Sequence, residues 1–195
     1  MGLKKDTNYI VSGLERSGTS MIMQILNAGG IPVAFDFSSR PPDENNPKGY
    51  YELEGGKIIN KLMEGAFPLD RYQGQFIKIT SFGMRFLPQG KYKVIYTQRN
   101  IEEVLDSMEK MSQQKDDHRQ ETRESFMKLD NLIQETIKER KDINQLFVNY
   151  NQILKDPEKN IRKIRDFIQE TEADLDQMIK SVDLRLYRNR EIKDY

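Results

Sequence analysis

The chain of 195 residues carries 31 Lys and Arg against 31 Asp and Glu, so its net charge is zero. A general nucleic-acid binder shows a basic excess, so we expect no nucleic-acid partner and only a local anion site. Cysteine is absent, which excludes disulfides, a cysteine nucleophile and thiolate metal sites. The length fits a single domain over residues 1–195.

The N-terminal residues and the spread of apolar residues set expectations about location. Residues 1–6, Met-Gly-Leu-Lys-Lys-Asp, lack the apolar core of a signal peptide. No run of about 18 apolar residues is present to span a bilayer. We therefore expect no stable membrane insertion and a cytoplasmic location, and the sequence carries no sign of a particular oligomeric state.

In chain order, runs of β-branched and aromatic residues predict strands, and apolar residues at helical spacing predict the helices between them. The predicted strands are 9–11, 76–79, 92–98 and 146–148. The predicted helices are 21–26, 58–63, 101–111, 120–142 and 157–181. Strands that alternate with helices indicate an α/β fold of three layers, in which helices cover both faces of a parallel sheet.

Two polar segments are predicted to lie outside this regular pattern. Residues 35–49, rich in Pro, Asn and Asp, follow the first helix and read as a loop. Residues 112–124 are almost wholly polar, and two interpretations stay open: a solvated helix extension or a flap. Ligands of parallel sheets bind beyond the carboxyl ends of the strands, which places residues 13–20 and 97–100 on one rim.

The segment Gly-Leu-Glu-Arg-Ser-Gly-Thr-Ser, residues 13–20, joins an apolar strand to an amphipathic helix. Its glycines let backbone N–H groups approach an anion, and the helix directs its positive end at the same place. Ser17, Thr19 and Ser20 add hydroxyl donors, and Arg16 adds a cation that can fork onto two oxygens. Thr19 stands where a nucleoside triphosphatase has lysine.

A second anion site is predicted where the strand 92–98 ends. Arg99 follows that strand, and Asn100 with Glu103 makes a capping-box-like start to the next helix. Ser107 lies eight residues after Arg99, roughly 12 Å along the helix and within about 80° of the same face. The two side chains either converge on one phosphate, or Arg99 pairs with a nearby Glu and Ser107 is a packing residue.

Together these sites resemble the sulfotransferase family. "SGLERSGTS" is similar to its 5′-phosphosulfate loop, and "VIYTQRNIEEVLDSM" to its 3′-phosphate element with the Arg-to-Ser spacing. "FIKITSFGMRFLP" and "LFVNYNQILKDPEKNIRKIRDFI" resemble two further stretches in the same order, as do "NPKGYYE" and "DLRLYRNR" of short bacterial members. The resemblance covers nearly the whole chain.

The resemblance implies a P-loop-containing nucleotide-hydrolase-like fold and 3′-phosphoadenosine 5′-phosphosulfate (PAPS) as sulfuryl donor. A sulfuryl donor needs no magnesium bridge between phosphates, so we expect no metal. The nucleotide-binding residues implied are Glu15, Arg16, Ser17, Gly18, Thr19, Ser20, Arg99, Ser107, Tyr150 and Arg188. Arg188, with Arg190, would substitute for the family's C-terminal Arg-Lys-Gly element, unless this segment is a tail.

The chain departs from the family at the general base. Cytosolic members carry a histidine after the lysine that corresponds to Lys78, and here the stretch Lys78-Ile79-Thr80-Ser81 contains none. Arg16 and Lys78 are expected to stabilise charge on the transferring group. Asp36 and Glu52 are the candidate bases, while His118, the only histidine, is expected to lie on the surface. Structural alternatives are a solvated loop acid for Asp36 and a first-turn helix residue for Glu52.

Three functions are compatible with these patterns. The first is a sulfotransferase that acts on a hydroxyl or amine of a small-molecule or glycan acceptor. The second is a nucleotide-binding module without catalysis, favoured by the missing histidine and by Asn151 in place of a family Glu. The third is a small-molecule P-loop kinase, against which Thr19 argues because that reaction needs the loop lysine.

Overall fold

A parallel four-stranded sheet forms the centre of the computed structural model, which describes residues 2–169 and 172–187. Its strands lie in the order β2-β1-β3-β4, and each neighbouring pair is parallel. In chain order they are β1 (Asn8–Gly13), β2 (Phe76–Lys78), β3 (Tyr92–Gln98) and β4 (Ile143–Asn149). The four predicted strands are confirmed.

Seven α-helices and four 3₁₀ turns connect and cover these strands within the described ranges. The helices are α1 (Thr19–Ala28), α2 (Ile58–Met63), α3 (Ile101–Ser112), α4 (Arg119–Glu139), α5 (Tyr150–Lys155), α6 (Pro157–Ile168) and α7 (Leu175–Lys180). The 3₁₀ turns are Glu54–Gly56, Leu69–Tyr72, Ser81–Phe86 and Leu184–Leu186. None of these helices is long and apolar enough to cross a membrane.

The prediction of one helix over residues 157–181 is wrong, because two helices occupy this region. Helix α6 ends at Ile168, and Gln169 takes the left-handed conformation that terminates many helices. Helix α7 then starts anew with Asp174 as its cap, since the carboxylate accepts the backbone N–H of Gln177. The capping residues, not the apolar period, decide where these helices end.

Two separate apolar cores lie on opposite faces of the sheet. One contains Tyr9 and Val11 of β1 with buried residues of α1, α6 and α7. The other contains Ile10 of the same strand with buried residues of α2, α4 and the Ser81–Phe86 turn. Alternate residues of β1 therefore face different helical layers, as a strand covered on both faces requires. This arrangement confirms the predicted three-layer α/β/α fold.

The polar segment 112–124 is part turn and part helix. Helix α3 ends at Ser112, and Gln113 is left-handed. Helix α4 begins at Arg119, whose guanidinium contacts three carboxylates on α3. The helix-extension interpretation therefore holds for residues 119–124, and the ion pairs fasten the start of α4 against α3.

A buried hydrogen bond between β3 and α4 offers a test of this packing. The Tyr96 hydroxyl donates to Asp130 Oδ1 at 2.7 Å. We expect Tyr96→Phe to lower the free energy of unfolding by about 1.5–3 kcal/mol, because the bond is to a charged group. Chemical denaturation measures this loss. The matched control is Tyr72→Phe, since the Tyr72 hydroxyl has no partner among the described residues, and equal effects in both variants would contradict the assignment.

Candidate active site

A cavity of about 200 Å³ opens at the rim where the parallel strands end. The sheet register aligns Gly13 with Thr97, so the loops after β1 and β3 leave the sheet side by side. Of the residues singled out from the sequence, those that line the cavity are Glu15, Arg16, Gly18, Thr19, Ser20, Glu52, Lys78, Arg99, Ser107 and Tyr150. Arg188 and Arg190 lie outside the described residues.

The loop after β1 is held in a strained shape that leaves the start of α1 open. Arg16 has a positive φ of 63°, and Gly18 has a φ of 102°. The buried Ser17 does not line the cavity; its Oγ shares a hydrogen bond of 2.7 Å with Thr97 Oγ1 and so anchors the loop to β3. No side chain caps the N-terminus of α1, which leaves its first N–H groups available to an anion.

Arg16 joins the two predicted anion sites. Its Nε donates to Ser107 Oγ at 2.9 Å, and its NH2 group donates to the carbonyl of Asn45 at 3.4 Å. Burial lowers the pKa of Arg16 from its ordinary value, and the nearby Arg99 lowers it further. Two guanidinium groups held this close favour an anion between or beside them. Ser107 thus contacts Arg16 and not Arg99.

Arg99 also lines this cavity, and hydrogen bonds to neighbouring residues hold much of its side chain in place. Its Nε donates to Glu103 Oε2 at 2.9 Å, and its NH1 group donates to the carbonyl of Arg16 at 3.0 Å. Its guanidinium also lies over the ring of Tyr150, 4.3 Å from the centroid. The predicted alternative, in which Arg99 pairs with a nearby Glu, is therefore confirmed. Arg99 nevertheless lines the cavity.

Lys78 and Glu52 form a buried ion pair at another part of the cavity wall. Lys78 Nζ donates to Glu52 Oε1 at 2.8 Å, and the side chains are 5% and 10% exposed. Lys78 also donates to the carbonyl of Tyr50 at 3.0 Å and to Ser20 Oγ at 3.2 Å. Arg40 donates to the other oxygen of Glu52 at 2.7 Å. Helix α1, strand β2 and residues 35–52 thus meet at one polar cluster.

Burial and neighbouring charges lower the pKa values of both members of this pair. Burial lowers the pKa of Lys78, and the charge of Glu52 opposes that shift. Burial tends to raise the pKa of Glu52, but Lys78 and Arg40 together hold it below 4.5, its ordinary value. The stability that Glu52 contributes is therefore complete above pH 4.5 and is lost as the pH falls through the lowered value.

Asp36 and His118 lie away from this polar cluster. Neither lines the cavity that the described residues form. The Asp36 carboxylate accepts the backbone N–H and the Oγ of Ser38, at 2.9 and 2.6 Å, and so closes a local turn. His118 is 76% exposed at the start of α4. The placement of Asp36 matches the alternative of a loop acid.

Sequence reasoning missed three side chains at this site. Arg40 and Tyr50 belong to the polar 35–49 loop and its end, where Arg40 lies 3.6 Å above the Tyr50 ring. Glu103 was expected to cap α3, but its carboxylate turns inward to Arg99. The i,i+4 spacing could have indicated Glu103, since it follows Arg99 by about one helical turn. Nothing in the loop pattern indicated Arg40.

The cavity, the open helix N-terminus and the converging arginines define an α/β domain with a candidate anion site. The family model of the sulfotransferase domain matches residues 6–195, and the chain therefore belongs to the sulfotransferase domain family. Family membership supports sulfuryl transfer as the activity. No group of three or more metal-binding side chains occurs within the described ranges.

Solved structures show the same fold. Mouse sulfotransferase SULT7A1 complexed with PAP has a TM-score of 0.59 at 19% identity, with 98% of this chain and 69% of that chain covered. The sulfotransferase domain of the Synechococcus PCC 7002 olefin synthase has a TM-score of 0.51 at 14% identity, with 86% and 77% covered. Comparison with curated protein sequences gives no match.

Gly18 provides a test of how closely the loop and the Tyr150 ring depend on one another. A Cβ at position 18 would lie 2.4 Å from Tyr150 Cδ2, whereas a Cβ at Gly30 meets nothing within 4 Å. Both glycines have a positive φ, so a side chain at either position costs about 1–2 kcal/mol of stability in backbone strain, and Gly18→Ala costs more than Gly30→Ala because of its contact with Tyr150.

Only Gly18→Ala should also weaken binding of adenosine 3′,5′-bisphosphate, by about 1.5–3 kcal/mol, because it displaces the ring beneath Arg99. Calorimetry at a temperature where both variants are folded makes the comparison. Unchanged affinity in Gly18→Ala would show that the ligand does not use this part of the cavity.

Proposed function

We propose that the protein transfers a sulfuryl group from PAPS to a hydroxyl or amine of a small-molecule or glycan acceptor. The observation that carries this proposal is the meeting of two sets of residues in one cavity. Arg16, Arg99 and Tyr150 form an anion site on one side, and the Lys78–Glu52 pair lies in the wall of the same cavity. The first set suits a donor nucleotide. The second suits the acceptor, because Glu52 can take its proton and Lys78 can stabilise the charge of the transferring group.

The donor assignment rests on the number and position of the anion-binding groups. The loop after β1 offers backbone N–H groups, hydroxyls and Arg16 to the 5′-phosphosulfate. Arg99 and Ser107 are assigned to the 3′-phosphate, and Tyr150 to contact with the nucleotide. PAP, named in the mouse structure, is the bisphosphate that PAPS leaves after giving up its sulfuryl group.

The transfer needs positioned positive charge. As the acceptor oxygen bonds to sulfur, the bond from sulfur to the 5′-phosphate oxygen breaks, and negative charge builds on that leaving oxygen. Arg16 and the open N–H groups of α1 are placed to stabilise it. Lys78 Nζ, within 3.2 Å of Ser20 Oγ on the loop helix, is close enough to act on the transferring group.

Glu52 is the stronger candidate for the base that takes the acceptor proton. It lines the cavity, whereas Asp36 does not. Lys78 and Arg40 hold the pKa of Glu52 down, which weakens it as a base in the unliganded protein. If Lys78 turns toward the sulfuryl oxygens, Glu52 loses one of its two cations, and its pKa rises. Donor binding would then strengthen the base.

A nucleotide-binding module without catalysis is the second candidate. It is favoured by the engagement of Glu52 with two cations and by the lack of a histidine in residues 78–81. The kinase alternative lacks the loop lysine. For the sulfotransferase, we place the reaction in the cytoplasm, which the cysteine-free composition supports.

The choice of nucleotide separates the kinase from the two candidates that bind PAPS. We expect adenosine 3′,5′-bisphosphate to bind far more tightly than ATP, and to bind equally well with and without a magnesium chelator, because Arg16, Arg99 and the open N–H groups of α1 can meet its phosphates directly. Calorimetry with both nucleotides, with and without chelator, measures the difference. Tighter binding of magnesium ATP would favour the kinase instead.

The proton acceptor can be identified once turnover with an acceptor is found by mass spectrometry of a hydroxylated-metabolite pool incubated with PAPS. Glu52→Gln should then lower turnover by roughly 10²–10⁴-fold, with nucleotide affinity near that of the wild type. Asp36→Asn is the matched control and should keep turnover, because Ser38 already occupies its carboxylate. The reverse pattern would assign the base to Asp36, and full turnover in both variants would exclude a carboxylate base at either position.

A further inference from the structure

Glu103 is a buried carboxylate on which three separate segments converge. Its Oε2 accepts Nε of Arg99 at 2.9 Å. Its Oε1 accepts Nδ2 of Asn151 at 2.8 Å and the hydroxyl of Tyr187 at 2.7 Å. The three donors come from the end of β3, the first turn of α5 and the segment after Leu184–Leu186.

A carboxylate in this position needs an explanation, because it opposes the charge of a residue that faces an anion site. The capping of α3 does not explain the position of Glu103. Asn100 Oδ1 accepts the N–H of Glu102 and caps that helix alone. The side chains of Arg99 and Glu103 are only 7% and 6% exposed, so Glu103 is also not a solvated surface acid.

The geometry of Arg99 explains what the carboxylate contributes. A guanidinium is rigid and planar, so a partner that holds Nε fixes the direction of all its other N–H groups. Arg99 has five N–H donors, of which Nε and one on NH1 have partners among the described residues. Three therefore remain for an anion, in a plane set by Glu103 and by the Tyr150 ring.

Asn151 and Tyr187 complete the coordination of the carboxylate. An amide at position 151 supplies a donor, whereas a glutamate there would place a second negative charge against Glu103. Burial and Glu103 together raise the pKa of Tyr187 to about 12, so its hydroxyl stays protonated and donates across the neutral range. The ring of Tyr187 also lies 6.2 Å from that of Tyr150.

We propose that Glu103 is a positioning residue for the 3′-phosphate of the donor nucleotide, and that Tyr187 links it to the segment that follows α7. Glu103 acts through Arg99, whose free N–H groups it aims into the cavity. Tyr187 and Asn151 in turn hold Glu103 in place. The inference rests on the proposed function, because it takes the ligand to be a 3′,5′-bisphosphate.

The test compares two probe nucleotides that differ only in the 3′-phosphate, adenosine 3′,5′-bisphosphate and adenosine 5′-monophosphate. Calorimetry gives both affinities for the wild type and for Glu103→Gln. An amide has one acceptor atom for three donors, so Arg99 loses its fixed direction. We expect affinity for the bisphosphate to fall roughly 10- to 100-fold, with little change for the monophosphate. Arg99→Ala sets the scale of a complete loss.

A neighbouring residue provides the control. Glu102→Gln removes a carboxylate one position away, which pairs with Arg119 and Arg123 of α4. This change should leave the ratio of the two affinities unchanged. A general structural defect would weaken both nucleotides together. Equal weakening in Glu103→Gln, an unchanged ratio, or tighter binding of the bisphosphate would each overturn the inference.

Tyr187→Phe tests the link and decides the matter if Glu103→Gln does not fold. Removal of one hydroxyl should weaken the bisphosphate about two- to ten-fold and spare the monophosphate. In the Glu103→Gln background the same change should add nothing, because both act through one network. An unchanged ratio in Tyr187→Phe would overturn the inference if Glu103→Gln does not fold, and would otherwise remove Tyr187 from it. If the wild type shows no preference for the bisphosphate, the proposed donor fails, and this inference fails with it.

Discussion

The site depends on a reciprocal contact between two arginines that are far apart in sequence. Arg16 reaches α3 through Ser107, and Arg99 reaches back to the backbone carbonyl of Arg16. Each cation thus fixes the segment that carries the other. The arrangement brings two like charges together, and Glu103 compensates for only one of them. The remaining positive charge lies at the rim of the sheet, where the proposed donor nucleotide would bind.

A second cluster places opposite charges in a buried position at the wall of the cavity. The Lys78–Glu52 pair is buried, and replacing a buried ion pair with apolar residues often leaves stability unchanged or improves it. Stability alone therefore gives no reason for this pair. Its position in the cavity wall gives a chemical one, since a cation and a carboxylate held together can exchange partners when a charged ligand arrives.

The fold and the anion loop were predictable because their signals are local. Apolar runs marked the four strands, and the glycines of residues 13–20 marked a strand-to-helix turn. The partners of the loop were harder to predict. Asn151 and Tyr187 reach Glu103 from distant segments, and Arg40 meets Glu52 and Tyr50 within a loop that has no periodic pattern. A capping pattern placed Glu103 at a helix start, and tertiary packing directed its side chain elsewhere. Local periodicity also could not locate the break between α6 and α7, which depends on a left-handed residue.

The hydrogen bond between Tyr187 and Glu103 has a thermodynamic consequence for the whole domain. The residues that line the cavity range from Glu15 to Leu186, and Tyr187 holds Glu103 beside it, so the site is complete only when almost the entire described chain is folded. A ligand that binds the native state alone then adds its binding energy to global stability, about 2.7 kcal/mol at a hundred times its Kd. The occupancy of this cavity and the fraction of molecules that are folded are therefore thermodynamically linked.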